Sequence, residues 1–161
     1  MSLLIRRARP DEAGLVLSLV RELADYEKLL HEVEATEATI GAALFGSNPR
    51  LFCDIAEWNG EVAGFAVWFI NFSTFSGRSG IYLEDLFVRP AQRGNGIGKA
   101  LLAHLAKQCV ANGWGRLQWA VLDWNTPSIE FYQSLGAVMM NEWTICRVDG
   151  AALTALAQGA R

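Results

Sequence analysis

Residues 92–102 read QRGNGIGKALL, a glycine-rich turn that runs directly into the apolar spacing of a helix. Glycine accepts backbone conformations that let successive amide N–H groups converge on one point. The N–H groups of the first helical turn have no partner within the helix, and they add the positive end of its dipole. The stretch therefore predicts a cradle for a phosphate or a pyrophosphate.

Two common nucleotide signatures fail when they are tested against these residues. A Walker A loop needs a glycine where Arg93 stands and a hydroxyl where Ala100 stands, so a magnesium-nucleotide site is not predicted. The dinucleotide fingerprint needs a third glycine at the position of Lys99, and it normally lies in an early strand-turn-helix unit rather than beyond mid-chain. A pyrophosphate ligand outside these two classes remains.

Composition bounds the class of protein. The chain has 161 residues, 52% of them hydrophobic and 19% charged, which suits one domain with a single core. The formal net charge is -3 and there is no lysine or arginine block, so no nucleic-acid partner is predicted. Cys53, Cys109 and Cys146 lack any C-x-x-C spacing, which argues against a disulfide framework and a metal site and favours the reducing cytoplasm. No apolar stretch reaches membrane-spanning length.

Hydrophobic periodicity predicts strands and helices in an order that is typical of a mixed α/β sheet covered on its faces. The Asn-Gly pair at 59–60 favours a tight hairpin turn between two of the strands. The predicted strands span residues 3–7, 51–57, 62–70, 81–88, 117–122 and 143–148. The predicted helices run from Pro10 to Leu29 or Leu30, over 36–44 with Thr36 as a cap, from Ile97 to about Asn112, and from Thr126 until before Gly136.

Four further segments carry a recognisable pattern: YLEDLFV at 82–88, AVLDWN at 120–125, FY at 131–132 and GA at 136–137. Together with the loop motif Gln/Arg-x-x-Gly-x-Gly/Ala, they resemble the GCN5-related N-acetyltransferase (GNAT) family, and within it the diamine (spermidine/spermine) acetyltransferase branch. VLDWN at 121–125 and ELADYEKL at 22–29 are most similar to the thialysine N-acetyltransferase-like members. The resemblance covers nearly the whole chain.

The resemblance implies a fold and an activity. The expected fold is a single N-acetyltransferase domain over residues 1–161, with a mixed, mostly antiparallel sheet of six to seven strands and helices on both faces. The expected enzyme is an acetyl-CoA-dependent N-acetyltransferase without a metal. It would transfer an acetyl group to a primary amine of a small cationic acceptor by direct transfer in a ternary complex. A homodimer is also implied.

Tyr132 is the candidate general acid, because in relatives of this pattern the matching tyrosine donates a proton to the sulfur of CoA. A tyrosine near its ordinary pKa of about 10 keeps its proton at neutral pH and can give it to a departing thiolate when the geometry helps. The alternative is a buried aromatic side chain beside Phe131.

Glu84 is the candidate residue for contacting the acceptor amine and removing its proton, directly or through water, and this role too is implied by the resemblance. A carboxylate can do so when partial burial raises its pKa. Consecutive strand residues point to opposite faces of a sheet, so Glu84 and Asp85 are expected on different sides. The alternative for either carboxylate is a salt bridge to an arginine such as Arg78 or Arg89.

The resemblance places coenzyme A along the strand at 82–88 and in the glycine loop. Main-chain amides of this strand would pair with the pantetheine arm like an added strand, and one would polarise the thioester carbonyl. For Asn125 and Ser128 the alternative is capping of the next helix, and Lys99 could simply face water. The candidate cofactor-binding residues are Leu86, Phe87, Val88, Arg93, Gly94, Asn95, Gly96, Ile97, Gly98, Lys99, Asn125, Ser128 and Tyr132.

The candidate acceptor site is rich in carboxylates, which would attract the second positive charge of a diamine. It comprises Tyr26, Glu27, Glu84, Trp124 and Glu142. Glu27 could equally be an exposed helix residue paired with a neighbouring base. Residues 138–141 depart from the more acidic run of the family, so diamines, polyamines and thialysine or lysine-like amines all stay open.

Two rival functions remain at this point. An enzyme that acetylates a protein N-terminus or lysine would need an open peptide groove rather than acidic side chains around the amine. A non-catalytic acyl-CoA-binding module could use the same scaffold without turnover.

Overall fold

Ten α-helices and β-strands follow one another along residues 1–159, the part of the chain that the computed structural model describes. They are β1 (Leu3–Arg7), α1 (Ala13–Tyr26), α2 (Glu37–Phe45), β2 (Phe52–Trp58), β3 (Glu61–Ser73), β4 (Arg78–Val88), α3 (Ile97–Asn112), β5 (Leu117–Gln118), α4 (Thr126–Ser134) and α5 (Gly150–Ala157). The chain forms two compact units, one of residues Met1–Trp124 and one that begins at Asn125. No helix among these residues has the length and apolar character to cross a membrane.

The five strands form one mixed sheet in the order β1-β2-β3-β4-β5. All neighbours are antiparallel except β4 and β5, which run parallel and pair only at Ile81 with Leu117 and at Tyr82 with Gln118. The mixed, mostly antiparallel α/β fold is thus confirmed, whereas six to seven strands are not.

One predicted strand is missing from the described chain, and another is shorter than predicted. The predicted strand at 117–122 is laddered only over its first two residues, and residues 143–148 form no strand in the described chain. An alternating apolar pattern fits a strand, but a ladder also needs a partner backbone, which the pattern does not supply. Helix α5 was not predicted at all.

The β2–β3 hairpin turns at Asn59 and Gly60, as predicted. Both residues have positive φ angles, 52° and 84°. Two successive residues with positive φ give the turn whose twist matches the right-handed twist of the flanking strands. This hairpin sets the pairing of β2 with β3, the antiparallel neighbour of β4.

Helices cover both faces of the sheet, as predicted. On one face, Leu19 and Leu23 of α1 join Ile55 and Phe65 of the strands in a buried cluster. Side chains alternate along a strand, so Asp54 points to the opposite face. There His104 of α3 lies 3.5 Å from the Asp54 carboxylate. The first face therefore belongs to α1 and α2, and the second to α3.

Helix α1 ends three or four residues before the predicted position. Lys28 adopts a left-handed backbone with a φ of 62°, and the Leu29 N–H donates to the carbonyl oxygen of Ala24 at 2.8 Å. This bond spans the last helical turn and satisfies a carbonyl that the ending helix leaves open. The residues after Tyr26 are thereby turned away from the helix axis.

Candidate active site

Glu84 and Asp85 lie at an irregularity in β4. Leu83 is paired with Trp68 and Asp85 with the preceding residue Val67, so Glu84 is an extra residue between two consecutive pairs. Such a β-bulge interrupts the alternation of side chains. Asp85 therefore shares the face of Val67 and points toward α1 and α2 instead of α3.

Both carboxylates line one cavity of about 90 Å³. Its other walls are apolar side chains of α1, α2, β3 and the segment between α2 and β2: Val16, Val20, Ile40, Leu44, Leu51 and Val67. The strict alternation expected for Glu84 and Asp85 is interrupted at the bulge, and both residues border this cavity, Asp85 partly buried and Glu84 exposed. A pocket with apolar walls and two carboxylates suits an aliphatic cation.

Burial, followed by the negative charges of Glu84 and Glu27, raises the pKa of Asp85 to about 7. Burial also raises the pKa of Glu27. Among residues 1–159, no lysine, arginine or histidine forms an ion pair with any of these three carboxylates. The site thus carries negative charge that its own surroundings leave uncompensated.

Arg89 is not the salt-bridge partner considered for Glu84 or Asp85. Its guanidinium donates to both carboxylate oxygens of Glu22, at 2.9 Å and 3.0 Å, and to the carbonyl oxygen of Val62. The bridge ties α1 to the end of β4, so Arg89 does not neutralise Glu84 or Asp85.

Beyond its two pairs with β5, strand β4 has one open side. Leu86, Phe87 and Val88 are paired with β3, but no strand of the described chain lies along their other edge. Main-chain N–H and C=O groups on an open edge can pair with an extended ligand. This is the place where the pantetheine arm was expected.

The anion loop has the predicted form. Gly94 and Gly96 both have positive φ angles, 83° and 77°. Gly96 is the N-cap of α3, and no side chain caps this helix end. Asn95 donates to the Gln92 carbonyl oxygen at 2.9 Å, which holds the turn together. The amides of Ile97 and Gly98 in the first helical turn are thus left to a ligand, which fits a pyrophosphate.

The two basic residues of the loop differ in placement. Arg93 Nε donates to the Val88 carbonyl oxygen at 2.9 Å, and its guanidinium lies 4.9 Å from the Tyr26 ring centroid and 5.6 Å from that of Phe87. Lys99 is exposed in the first turn of α3. Contacts of either with a phosphate stay a prediction.

Tyr26 and Trp124 meet as an aromatic pair with centroids 6.1 Å apart. Lys28 Nζ lies 5.0 Å from the Trp124 ring centroid, and Trp124 is 48% exposed. Glu27 sits between Tyr26 and Lys28 in sequence. The end of α1 therefore brings three of the predicted acceptor-site residues together.

The remaining candidates belong to the second unit. Tyr132 is half-buried on α4, with its ring centroid 5.5 Å from that of Phe131. The Asn125 side chain accepts a hydrogen bond from the Ser128 backbone N–H at 3.4 Å. Asn125 is thus the cap of α4, as its alternative role predicted, while Ser128 supplies the capped amide. Glu142 is exposed in an irregular segment.

The chain as a whole is similar to known proteins. The model of the acetyltransferase (GNAT) family matches residues 16–137. The chain belongs to the GNAT family. Thialysine N-epsilon-acetyltransferase of Sus scrofa is 38% identical over 97% of this chain and 98% of its own length. L-ornithine N5-acetyltransferase of Arabidopsis thaliana is 32% identical over 94% of this chain and 86% of its own length.

Among solved structures, an integron cassette protein from the mobile metagenome of V. cholerae superposes with a TM-score of 0.81. It is 29% identical, and the match covers 98% of this chain and 99% of that one. This GNAT chain is accordingly an acetyltransferase, and acetyl-CoA is the acetyl donor of the family. Among residues 1–159, no group of three or more His, Cys, Asp and Glu side chains could hold a metal ion.

Asp85 is the functional candidate that the sequence did not assign. Asp85 is recognisable in the sequence as a carboxylate within an apolar stretch. Because Glu84 was assigned to the acceptor site, the alternation of strand side chains placed Asp85 on the other face of the sheet. Only the β-bulge at Glu84 and the cover of α1 and α2 bring Asp85 into the cavity.

Gly96→Ala is expected to raise the KM for acetyl-CoA about tenfold. An L-residue in the left-handed region costs roughly 1–2 kcal/mol, and relief of that strain would turn the loop amides away from a phosphate. Steady-state kinetics with varied acetyl-CoA measure the effect. Gly60→Ala is the matched control, because Gly60 also has a positive φ and open space around an added Cβ. It should lose similar stability with an unchanged KM, and an equal rise in both variants would argue against the loop as the cradle.

Proposed function

We propose that this protein is an acetyl-CoA-dependent N-acetyltransferase that acetylates a primary amine of a small cationic acceptor by direct transfer in a ternary complex. The acceptor would be a diamine, a polyamine or a thialysine or lysine-like amine. The relatives named for thialysine and L-ornithine support acceptors of this size and charge.

The cavity lined by Glu84 and Asp85 is the single observation that carries this proposal. Its apolar walls suit a methylene chain, and its carboxylates suit an ammonium group. Each carboxylate lacks a cationic partner within residues 1–159, so binding a cation compensates charge that the fold leaves in place. A protein acceptor would not require a small apolar cavity bordered by two carboxylate residues.

The residues present fit acetyl-CoA. Its pyrophosphate would be held by the amides at the start of α3, and its pantetheine arm by the open edge of β4 at Leu86 to Val88. When bound, it supplies the acetyl group as a thioester. Gly94 and Gly96 shape the cradle, and an amide of β4 aims a positive partial charge at the carbonyl oxygen.

Two protons must be moved. An amine is nucleophilic only when neutral, so a carboxylate must first take a proton from the acceptor ammonium. Asp85, with a pKa of about 7, is suited to that task, and Glu84 beside it would bind the ammonium directly or through water. Tyr132 would give its phenolic proton to the departing sulfur as the C–S bond breaks, and the second proton that the nitrogen loses on forming the amide would return to the Tyr132 oxygen through water. No covalent enzyme intermediate is required.

A panel of amines tests the proposal. Purified protein is incubated with acetyl-CoA and each amine, and thiol release is followed. Diamines and diamino acids should be acetylated, whereas a peptide with a free N-terminus and an internal lysine should not. Preference for the peptide would favour a protein acetyltransferase. Binding of acetyl-CoA without turnover of any amine would favour a non-catalytic module.

The proposal includes a cytoplasmic homodimer. The dimer is supported by the exposed apolar side chains of the second unit, where Trp143 is 74% and Ile145 81% exposed. The cytoplasmic location is supported by the three free cysteines of the described chain. Light scattering should give twice the mass of one chain. An Ile145→Lys variant that is monomeric at the same concentration would link this surface to the dimer, and a monomeric parent protein would rule the dimer out.

A further inference from the structure

Lys28 has an unusual backbone for a residue with a Cβ atom. It occupies the position just past α1 where glycine is strongly preferred, with a φ of 62°. Its own N–H donates to the Asp25 carbonyl oxygen at 3.0 Å, so the turn is closed by backbone bonds that glycine would make as well. The lysine side chain is thus not needed to end the helix.

The ammonium of Lys28 is directed over an aromatic ring instead of toward a carboxylate. Nζ lies 5.0 Å from the Trp124 centroid, and no carboxylate of residues 1–159 forms an ion pair with it. Trp124 in turn packs against Tyr26. A cation held over an exposed ring can still accept an anion on its open side.

Positive and negative charges are therefore separated across the end of α1. Lys28 stands at Trp124, whereas Glu27, its neighbour in sequence, acts electrostatically on Asp85 at the cavity. A diamine without an anionic group would match the carboxylates but would bring a further cation toward Lys28. A diamino acid would match both, since it carries ammonium groups and one carboxylate.

We propose that Lys28 is a specificity-determining residue that binds the carboxylate of a diamino acid acceptor. The inference rests on the proposed function, and it assigns to one residue the choice, among the small cationic amines named there, of those that carry a carboxylate. A charge-assisted hydrogen bond from the ammonium supplies the preference, and repulsion of a second cation strengthens it.

Matched acceptor pairs test the assignment. L-lysine and 1,5-diaminopentane have the same chain and differ by the carboxylate, as do L-ornithine and 1,4-diaminobutane. The parent enzyme should favour each amino acid over its diamine in kcat/KM. Lys28→Asn should lower kcat/KM for the amino acids about tenfold and leave that for the diamines unchanged or raised.

The variants are chosen to fold. Asparagine and glycine tolerate a left-handed backbone, so Lys28→Asn and Lys28→Gly keep the end of α1. Lys28→Arg retains the positive charge and should keep most of the preference. Lys28 would not be the specificity residue if the amino acid to diamine ratio is the same in parent and Lys28→Asn enzymes, or if Lys28→Asn changes only the KM for acetyl-CoA. Absence of turnover with all four acceptors would instead overturn the proposed function, and this inference with it.

Discussion

Tyr132→Phe will lower kcat roughly 10²–10³-fold, because the variant has no proton to give to the departing sulfur. The affinity for acetyl-CoA should stay within about threefold, since the substitution removes one oxygen and keeps the ring that packs against Phe131. Steady-state assays of thiol release measure kcat, and calorimetry measures the dissociation constant of acetyl-CoA.

Tyr82→Phe is the matched control for this prediction. Tyr82 of β4 packs against Phe69 of β3 and has no assigned part in the reaction. Removal of its hydroxyl should therefore leave kcat nearly unchanged. A Tyr132→Phe enzyme with parental kcat would show that another group protonates the sulfur. A protein with no turnover before the substitution would be a sensor instead of an enzyme.

Asp85→Asn will remove the acidic limb from the pH profile of kcat/KM. Only ionised Asp85 can accept a proton from an ammonium group, and its pKa is raised to about 7 by burial, Glu84 and Glu27. The kcat/KM of the parent enzyme should therefore rise between about pH 5.5 and about pH 8. In the variant that rise should be absent and kcat/KM at the upper end should fall about 100-fold.

Glu84→Gln is the comparison for Asp85→Asn, because each replaces one cavity carboxylate by an amide. Glu84→Gln should raise the KM of the amine acceptor and keep the limb. The limb should move to lower pH, because the charge of Glu84 helps to raise the pKa of Asp85. If Glu84→Gln abolishes the limb and Asp85→Asn preserves it, the proton is removed by Glu84. If Glu84→Gln leaves diamine kinetics unchanged, the small-amine proposal loses its main support.

The ionisation of Asp85 should also make the free energy of unfolding depend on pH, in a direction that its raised pKa determines. Asp85 keeps its proton up to about pH 7 in the folded chain but loses it near the ordinary aspartate pKa of about 4 when unfolded. Between these values the folded state binds more protons, so the free energy of unfolding falls as the pH rises and then levels off above about pH 7. Asp85→Asn should therefore be more stable than the parent at pH 8 by roughly 1–3 kcal/mol, and the difference should vanish at pH 4. Urea titrations at the two pH values measure it.

Local chemistry allowed much of the framework to be predicted from sequence. The Asn-Gly turn at 59–60 and the helix from Ile97 to Asn112 with its glycine cap depend on residues that are close in the chain, and both are confirmed. Leu101 and Leu105 are fully buried on the predicted face of α3. The loop before α3 also has the predicted glycine conformations.

Features that depend on distant partners could not be predicted in this way. Residues 143–148 have the composition of a strand, yet a ladder depends on a neighbouring backbone that the pattern does not reveal. The raised pKa of Asp85 needs the cover of α1 and α2 and the charge of Glu27 from another part of the chain. The β-bulge at Glu84 could not be predicted, because no glycine or proline lies at this position in the sequence.

The extra residue in β4 also constrains how acceptor range can change over time. Shortening the strand by one residue at position 84 would remove a carboxylate and restore regular pleating, and Asp85 would still pair with Val67 on the side opposite Leu83. Phe87 would then keep its pairing with Phe65 and its place in the core. Acceptor range is accordingly expected to change by replacement or loss of the residue at position 84, whereas an insertion or deletion in the regular part of β4 would reverse the faces of the side chains beyond it and should be selected against.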